Sequence, residues 1–80
     1  MTNTEEIELG EWIEVYNRVG RCIGEYAVFE SSYEKGSYTY SGYTYDKDGE
    51  VEWDLNGQNP DYKTPEQARD SAIDNVRNPD

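Results

Sequence analysis

Six consecutive residues, Glu50-Val51-Glu52-Trp53-Asp54-Leu55, alternate strictly between carboxylate and apolar side chains. A period of two marks a strand with one face buried and one wet. Val51, Trp53 and Leu55 are expected to point one way and Glu50, Glu52 and Asp54 the other. The preceding Asp46-Lys47-Asp48-Gly49 reads as a hairpin turn, with Gly49 suited to a positive φ. Before it, Ser37 to Tyr45 alternates tyrosine with small residues, and Gly42 shifts the phase. In a regular strand Tyr38 and Tyr40 then face one way and Tyr43 and Tyr45 the other. A bulge at Ser41-Gly42 would restore a single tyrosine face.

Two further strands precede this hairpin. Ile13 and Val15 share one parity with Ile7 and Leu9, while Trp12, Glu14 and Tyr16 share the other with Glu8, which places a strand at Glu11 to Asn17. Gly20 marks a turn, and Cys22 to Glu30 is rich in strand formers such as Ile23, Tyr26, Val28 and Phe29. Asn56-Gly57 ends the last strand, and Asn59-Pro60 continues as loop. Thr64-Pro65-Glu66-Gln67 then opens a helix: Thr64 caps, proline takes the first position and Gln67 completes a capping box. The helix runs to Val76 or Arg77 and stops before Asn78-Pro79. Its apolar row is Ala68, Ala72 and Val76, flanked by Ile73. The expected fold is α+β: a four-stranded antiparallel meander sheet with one C-terminal helix packed on one face. Residues 1–80 form a single domain, with residues 1–6 frayed.

The aliphatic content is thin, since hydrophobic residues make up 34% of the 80 positions. Eight Tyr, two Trp and one Phe compensate, because each large ring can bury roughly 150–250 Å². The expected core is built on Trp12, Phe29, Trp53 and about half of the tyrosines.

Chemistry is constrained by what is missing. The chain has no histidine and a single cysteine. That removes the commonest general base, a Cys–His nucleophile, zinc ligation by Cys and His, and an internal disulfide. Cys22 is expected to be a small buried apolar residue. Asp46 to Glu50 does not make a calcium loop: with Gly49 at the sixth position, Thr44 and Leu55 fall where acids are needed. Glycine-rich phosphate loops and basic patches are absent, which argues against direct nucleic-acid binding. The N-terminus lacks the basic-then-apolar pattern of a signal peptide, and no apolar run is long enough to span a bilayer. The expectations are a cytosolic protein with no membrane association, no cofactor, no metal and no enzymatic activity.

What stands out is charge. Eighteen acids against seven bases give a net charge of −11, and such an excess opposes compaction through self-repulsion. The acids are patterned: Glu5, Glu6, Glu8, Glu11 and Glu14 come before any base, and Glu66, Asp70 and Asp74 follow at i, i+4 and i+8 on the helix. Alternate strand residues recur every ~6.6 Å, so Glu50, Glu52 and Asp54 would form a carboxylate row about half as dense as the ~3.4 Å phosphate spacing of one DNA strand. Two such rows together would approximate it.

In these acid rows and exposed tyrosines the chain resembles the small phage-encoded inhibitors of host defence, the anti-CRISPR proteins and anti-restriction DNA mimics. The resemblance is one of composition over the whole chain. It implies a non-catalytic inhibitor that meets a basic nucleic-acid-binding groove, in a CRISPR effector or a restriction enzyme, in the host cytosol, and blocks DNA access. The expected contacts are Glu50, Glu52, Asp54, Glu66, Asp70 and Asp74, with Tyr38, Tyr40, Tyr43 and Tyr45 as anchors. The alternative is a small structural or adaptor domain of a virus or halophile whose acidity is generic.

Overall fold

Two short turns of the same chemistry set the topology. Asn17 Oδ1 accepts from the backbone N–H of Val19 at 3.0 Å and of Arg21 at 2.9 Å. Asp46 Oδ1 accepts likewise from Asp48 at 2.9 Å and Glu50 at 3.0 Å. Each turn closes on a glycine in the left-handed region, Gly20 at φ +86° and Gly49 at φ +85°, where a side chain would be strained. The structure, a computed structural model, describes residues 7–55 and 61–78. The fraying expected of residues 1–6, the loop residues Asn56-Gly57 and Asn59-Pro60, and Pro79 lie outside the described residues.

Among those described run β1 (Ile13–Tyr16), β2 (Cys22–Glu30), β3 (Tyr38–Tyr45), β4 (Val51–Asp54) and α1 (Pro65–Arg77). All neighbouring strands are antiparallel, and their order in space, β1-β2-β3-β4, is their order in the chain. The fold is therefore the expected α+β meander with a C-terminal helix. Thr64 Oγ1 caps α1 by accepting from Gln67 N at 3.1 Å. Gln67 Oε1 reaches back to Lys63 N at 3.1 Å, one residue beyond the N–H that a reciprocal capping box would use.

The helix lies over the two central strands, β2 and β3. Ala68, Ala72 and Val76 face Val15, Tyr26, Val28, Tyr40 and Leu55, and this set is the core. Gly24 lets the helix approach: a Cβ there would stand 2.6 Å from Val76 Cγ1 and 2.4 Å from the Tyr43 carbonyl oxygen. The large rings expected inside are not there. Trp12 is 42% exposed, Trp53 54%, and Phe29 is half-buried. Trp12 and Phe29 lie on the sheet face that no helix covers, and Trp53 stands on an edge strand beside the helix footprint.

Both hairpins carry one extra residue. The β1–β2 register steps between Val15 and Tyr16, leaving Ile23 unpaired, and the β3–β4 register steps between Thr44 and Tyr45, leaving Glu52 unpaired. The second bulge breaks the alternation expected of β4. Directly opposite residues share a face. Val51, opposite Tyr45, and Asp54, opposite Tyr43, thus stand on one face, and Trp53, opposite Thr44, on the other. By contrast, pairing of β2 with β3 runs unbroken from Gly24↔Thr44 to Glu30↔Tyr38. No bulge at Ser41-Gly42 gathers the tyrosines, and they divide between the two faces.

Candidate functional site

Among the described residues a single helix covers one face of the sheet and leaves the other open, and the register says what stands on it. Glu14 is opposite Glu25, Glu25 opposite Tyr43, and Tyr43 opposite Asp54. These four residues form a row across all four strands. Beside it lies an aromatic group. Trp12 stacks on Tyr43 with centroids 5.6 Å apart and meets Phe29 edge-on at 6.5 Å. On this face Phe29 stands two residues from Ala27 along β2 and Tyr43 lies diagonally across on β3, and Ala27 has no exposed surface. The ring of Trp12, which touches both, therefore roofs a small second apolar cluster while its outer surface stays open.

The carboxylates of the row are held by tyrosines. Tyr16 Oη donates to Glu14 Oε1, and Tyr45 Oη donates to Glu25 Oε2 at 2.5 Å. A hydroxyl bonded to a carboxylate gives up its proton reluctantly. The bond to Glu25, then burial, then the Glu25 charge push the Tyr45 phenol up to about 12. The bond to Glu14 and its charge raise Tyr16 in the same direction. Cys22 stands opposite Tyr16, half-buried where full burial was expected, and its Sγ donates to the Gly24 carbonyl at 3.4 Å.

The residues singled out from the sequence are distributed over three surfaces. Tyr43, Tyr45 and Asp54 belong to the open sheet face. Glu52 is the unpaired bulge residue, and Glu50 closes the turn with its N–H on Asp46, so the even ladder of three carboxylates is interrupted. Tyr38 and Tyr40 lie on the helix side. Tyr40 is buried, accepts from Asn75 Nδ2 at 2.9 Å and stacks on Tyr62 at 6.3 Å; burial raises its phenol pKa. Glu66, Asp70 and Asp74 are exposed on α1, on the other side of the sheet from Asp54, and Asp70 pairs with Arg69 Nε at 3.0 Å. The strand acids and the helix acids therefore do not share a surface.

The open face adds Trp12, Glu14, Tyr16, Glu25 and Phe29, none of which was singled out as a contact. The shared parity of Trp12, Glu14 and Tyr16 was the visible signal. That Glu25 joins them depends on the register of the first hairpin. Among the described residues no group of three His, Cys, Asp or Glu is placed to hold a metal ion, and no helix is long and apolar enough to cross a membrane. The face offers charge, hydroxyls and ring surface. Comparison with protein-family models, with curated proteins and with solved structures finds no match.

Proposed function

We propose that this protein is a non-catalytic inhibitor that sets its open sheet face against a basic nucleic-acid-binding surface of a partner protein, in the manner of anti-CRISPR and anti-restriction proteins. The observation that carries the reading is the row Glu14–Glu25–Tyr43–Asp54 with Trp12 stacked beside it. Like charges directly opposite on a sheet destabilise it, by roughly 0.2–1 kcal/mol per pair. A partner's lysines and arginines would neutralise that repulsion on binding. Trp12, Tyr43 and Tyr45 add apolar area with polar tips, the side chains favoured at interface centres. The acids of α1 face away from this contact; their part is long-range steering, which speeds encounter with a basic groove.

The test is competition with DNA for a purified CRISPR effector or restriction enzyme. Reversing Glu25 and Asp54 to lysine is expected to weaken inhibition at least tenfold. Reversing Glu66 and Asp70 should leave the affinity within a few fold while slowing association. Inhibition should also fall steeply with salt. Equal losses from the two pairs, or affinity indifferent to salt, would mean that the acidity is generic and the face is not the interface.

A further inference from the structure

The open face ends at two strand edges, β1 and β4, each paired on one side alone among the described residues. The two edges differ. The extra residue of the β3–β4 hairpin, Glu52, lies in the edge strand itself. A bulge in an edge strand bends it and disrupts further pairing. In the β1–β2 hairpin the extra residue, Ile23, lies in the inner strand. Ile13-Glu14-Val15-Tyr16 therefore runs without an insertion along a free edge.

That edge is apolar beyond what the fold needs. Leu9, Trp12, Ile13 and Tyr16 are 49%, 42%, 40% and 49% exposed, all within a few residues of one another. On the helix side a groove of about 350 Å³ lies at the start of β1, lined by apolar Ile7, Ile13, Tyr26 and Val28 and by charged Glu8, Glu11 and Arg69. On the open side the edge presents Trp12, Glu14 and Tyr16.

We propose that β1 takes an extended segment of the partner as a fifth strand, one whose side chains alternate between apolar and basic. The inference rests on the reading of a basic partner given above and adds its mode of attachment. Strand addition supplies main-chain hydrogen bonds, and pockets for alternate side chains supply selectivity. On the helix side the apolar side chain beside Ile13 enters the groove at the start of β1; on the other side the basic side chains pass over the open face, where Glu14 meets lysine or arginine. Charge weighs against the simplest rival occupant. A second copy paired antiparallel through β1 in the register that sets Glu11 against Glu14 would oppose like charges across strands, which is unfavourable.

The probe is an end-blocked hexapeptide of alternating lysine and valine, compared with two analogues of equal charge that are N-methylated at alternate residues, one analogue for each phase. Titration into the isotope-labelled protein is expected to move the amide resonances of β1 and to slow their hydrogen exchange at least tenfold. One of the two analogues should bind at least tenfold more weakly, because its methyl groups occupy the edge that pairs. Binding of both analogues as tight as the parent would overturn strand addition. So would failure of the parent peptide to bind, shifts confined to β4, or a protein that dimerises through β1 alone. Each of these results leaves the face reading intact. That reading fails separately, if Glu25→Lys and Asp54→Lys, which lie off the edge, leave inhibition unchanged.

Discussion

Glu14 and Glu25 stand directly opposite each other on neighbouring antiparallel strands, and each gives one carboxylate oxygen to a tyrosine hydroxyl, that of Tyr16 and of Tyr45 respectively. The tyrosines satisfy hydrogen bonding without cancelling charge, so the repulsion remains. Such an arrangement stores unfavourable electrostatics on an open face, where a basic partner can relieve it.

Replacing Glu25 by glutamine tests this directly. The amide oxygen still accepts from Tyr45, but the charge is gone. The expected outcome is a gain of roughly 0.2–1 kcal/mol in unfolding free energy at low salt. The gain should vanish near 1 M salt, where charges are screened within about 3 Å. Urea denaturation at the two ionic strengths measures it, and a loss of stability at low salt would show that the bond to Tyr45 depends on the carboxylate's charge.

Tyr45 makes stability sensitive to alkali. Its folded pKa, about 12, lies above the ordinary value of 10.0, so the folded chain holds the phenolic proton more tightly than the unfolded chain. By linkage its stabilising contribution is complete below pH 10 and is lost as pH rises from 10 towards 12. Ultraviolet absorbance of tyrosinate should show a late-titrating fraction in which Tyr45 stands beside Tyr16 and Tyr40, both also raised. Tyr45→Phe should remove its share, and Glu25→Gln should return that share towards the ordinary range.

Much of the fold was legible because its signals are local. The turns at Gly20 and at Asp46 to Gly49, and Thr64 with Pro65, each act within a few residues, and the structure uses each as expected; Asn17, read as the end of the first strand, instead opens the first turn. The tyrosines of β3 divided between faces as plain alternation requires. What was not legible depends on pairing. The bulges at Ile23 and Glu52 have no local signature here, and the second one turned an apparently perfect alternation in β4 into a broken one. Trp12 and Trp53 read as core because rings usually are, but burial depends on where α1 lies, and a single helix covers only the two central strands. The juxtaposition of Glu14 and Glu25 needs both the register and the first bulge, so the open face emerged only once the strands were paired.

The cap at Thr64 is a local device with a measurable share of stability. Its Oγ1 satisfies Gln67 N, one of the donors left over at any helix start. Thr64→Ala is expected to cost about 1 kcal/mol, and Thr64→Ser or Thr64→Asp much less. Thermal or urea unfolding separates these outcomes; equal losses in all three variants would mean that the threonine methyl, not the hydroxyl, matters.

Tyr40 joins sheet to helix through a bond that phenylalanine cannot make. Its hydroxyl accepts from Asn75 Nδ2 at 2.9 Å at the edge of the core. Tyr40→Phe preserves the ring and its stack on Tyr62, so the change reports the hydrogen bond, which typically contributes about 0.5–1.5 kcal/mol. A double-mutant cycle with Asn75→Ala should show that the two losses are not additive. Full additivity would place the contribution of Asn75 elsewhere.

At Gly24 the sheet admits Val76 of α1 and the backbone of β3 so closely that a side chain should be poorly tolerated. Alanine there would put its methyl 2.6 Å from Val76 Cγ1 and 2.4 Å from the Tyr43 carbonyl oxygen. The first contact can yield by a change at Val76. The second is backbone of the neighbouring strand and can yield only if β3 moves. Overpacking of this kind typically costs about 1–3 kcal/mol, a large share of the stability of a domain this small. Gly24→Ala is therefore expected to unfold at clearly lower urea. Adding Val76→Ala should not restore the loss, because it clears the side chain and leaves the carbonyl in place. Full rescue by Val76→Ala would show that α1, and not the β2–β3 pairing, sets the requirement for glycine.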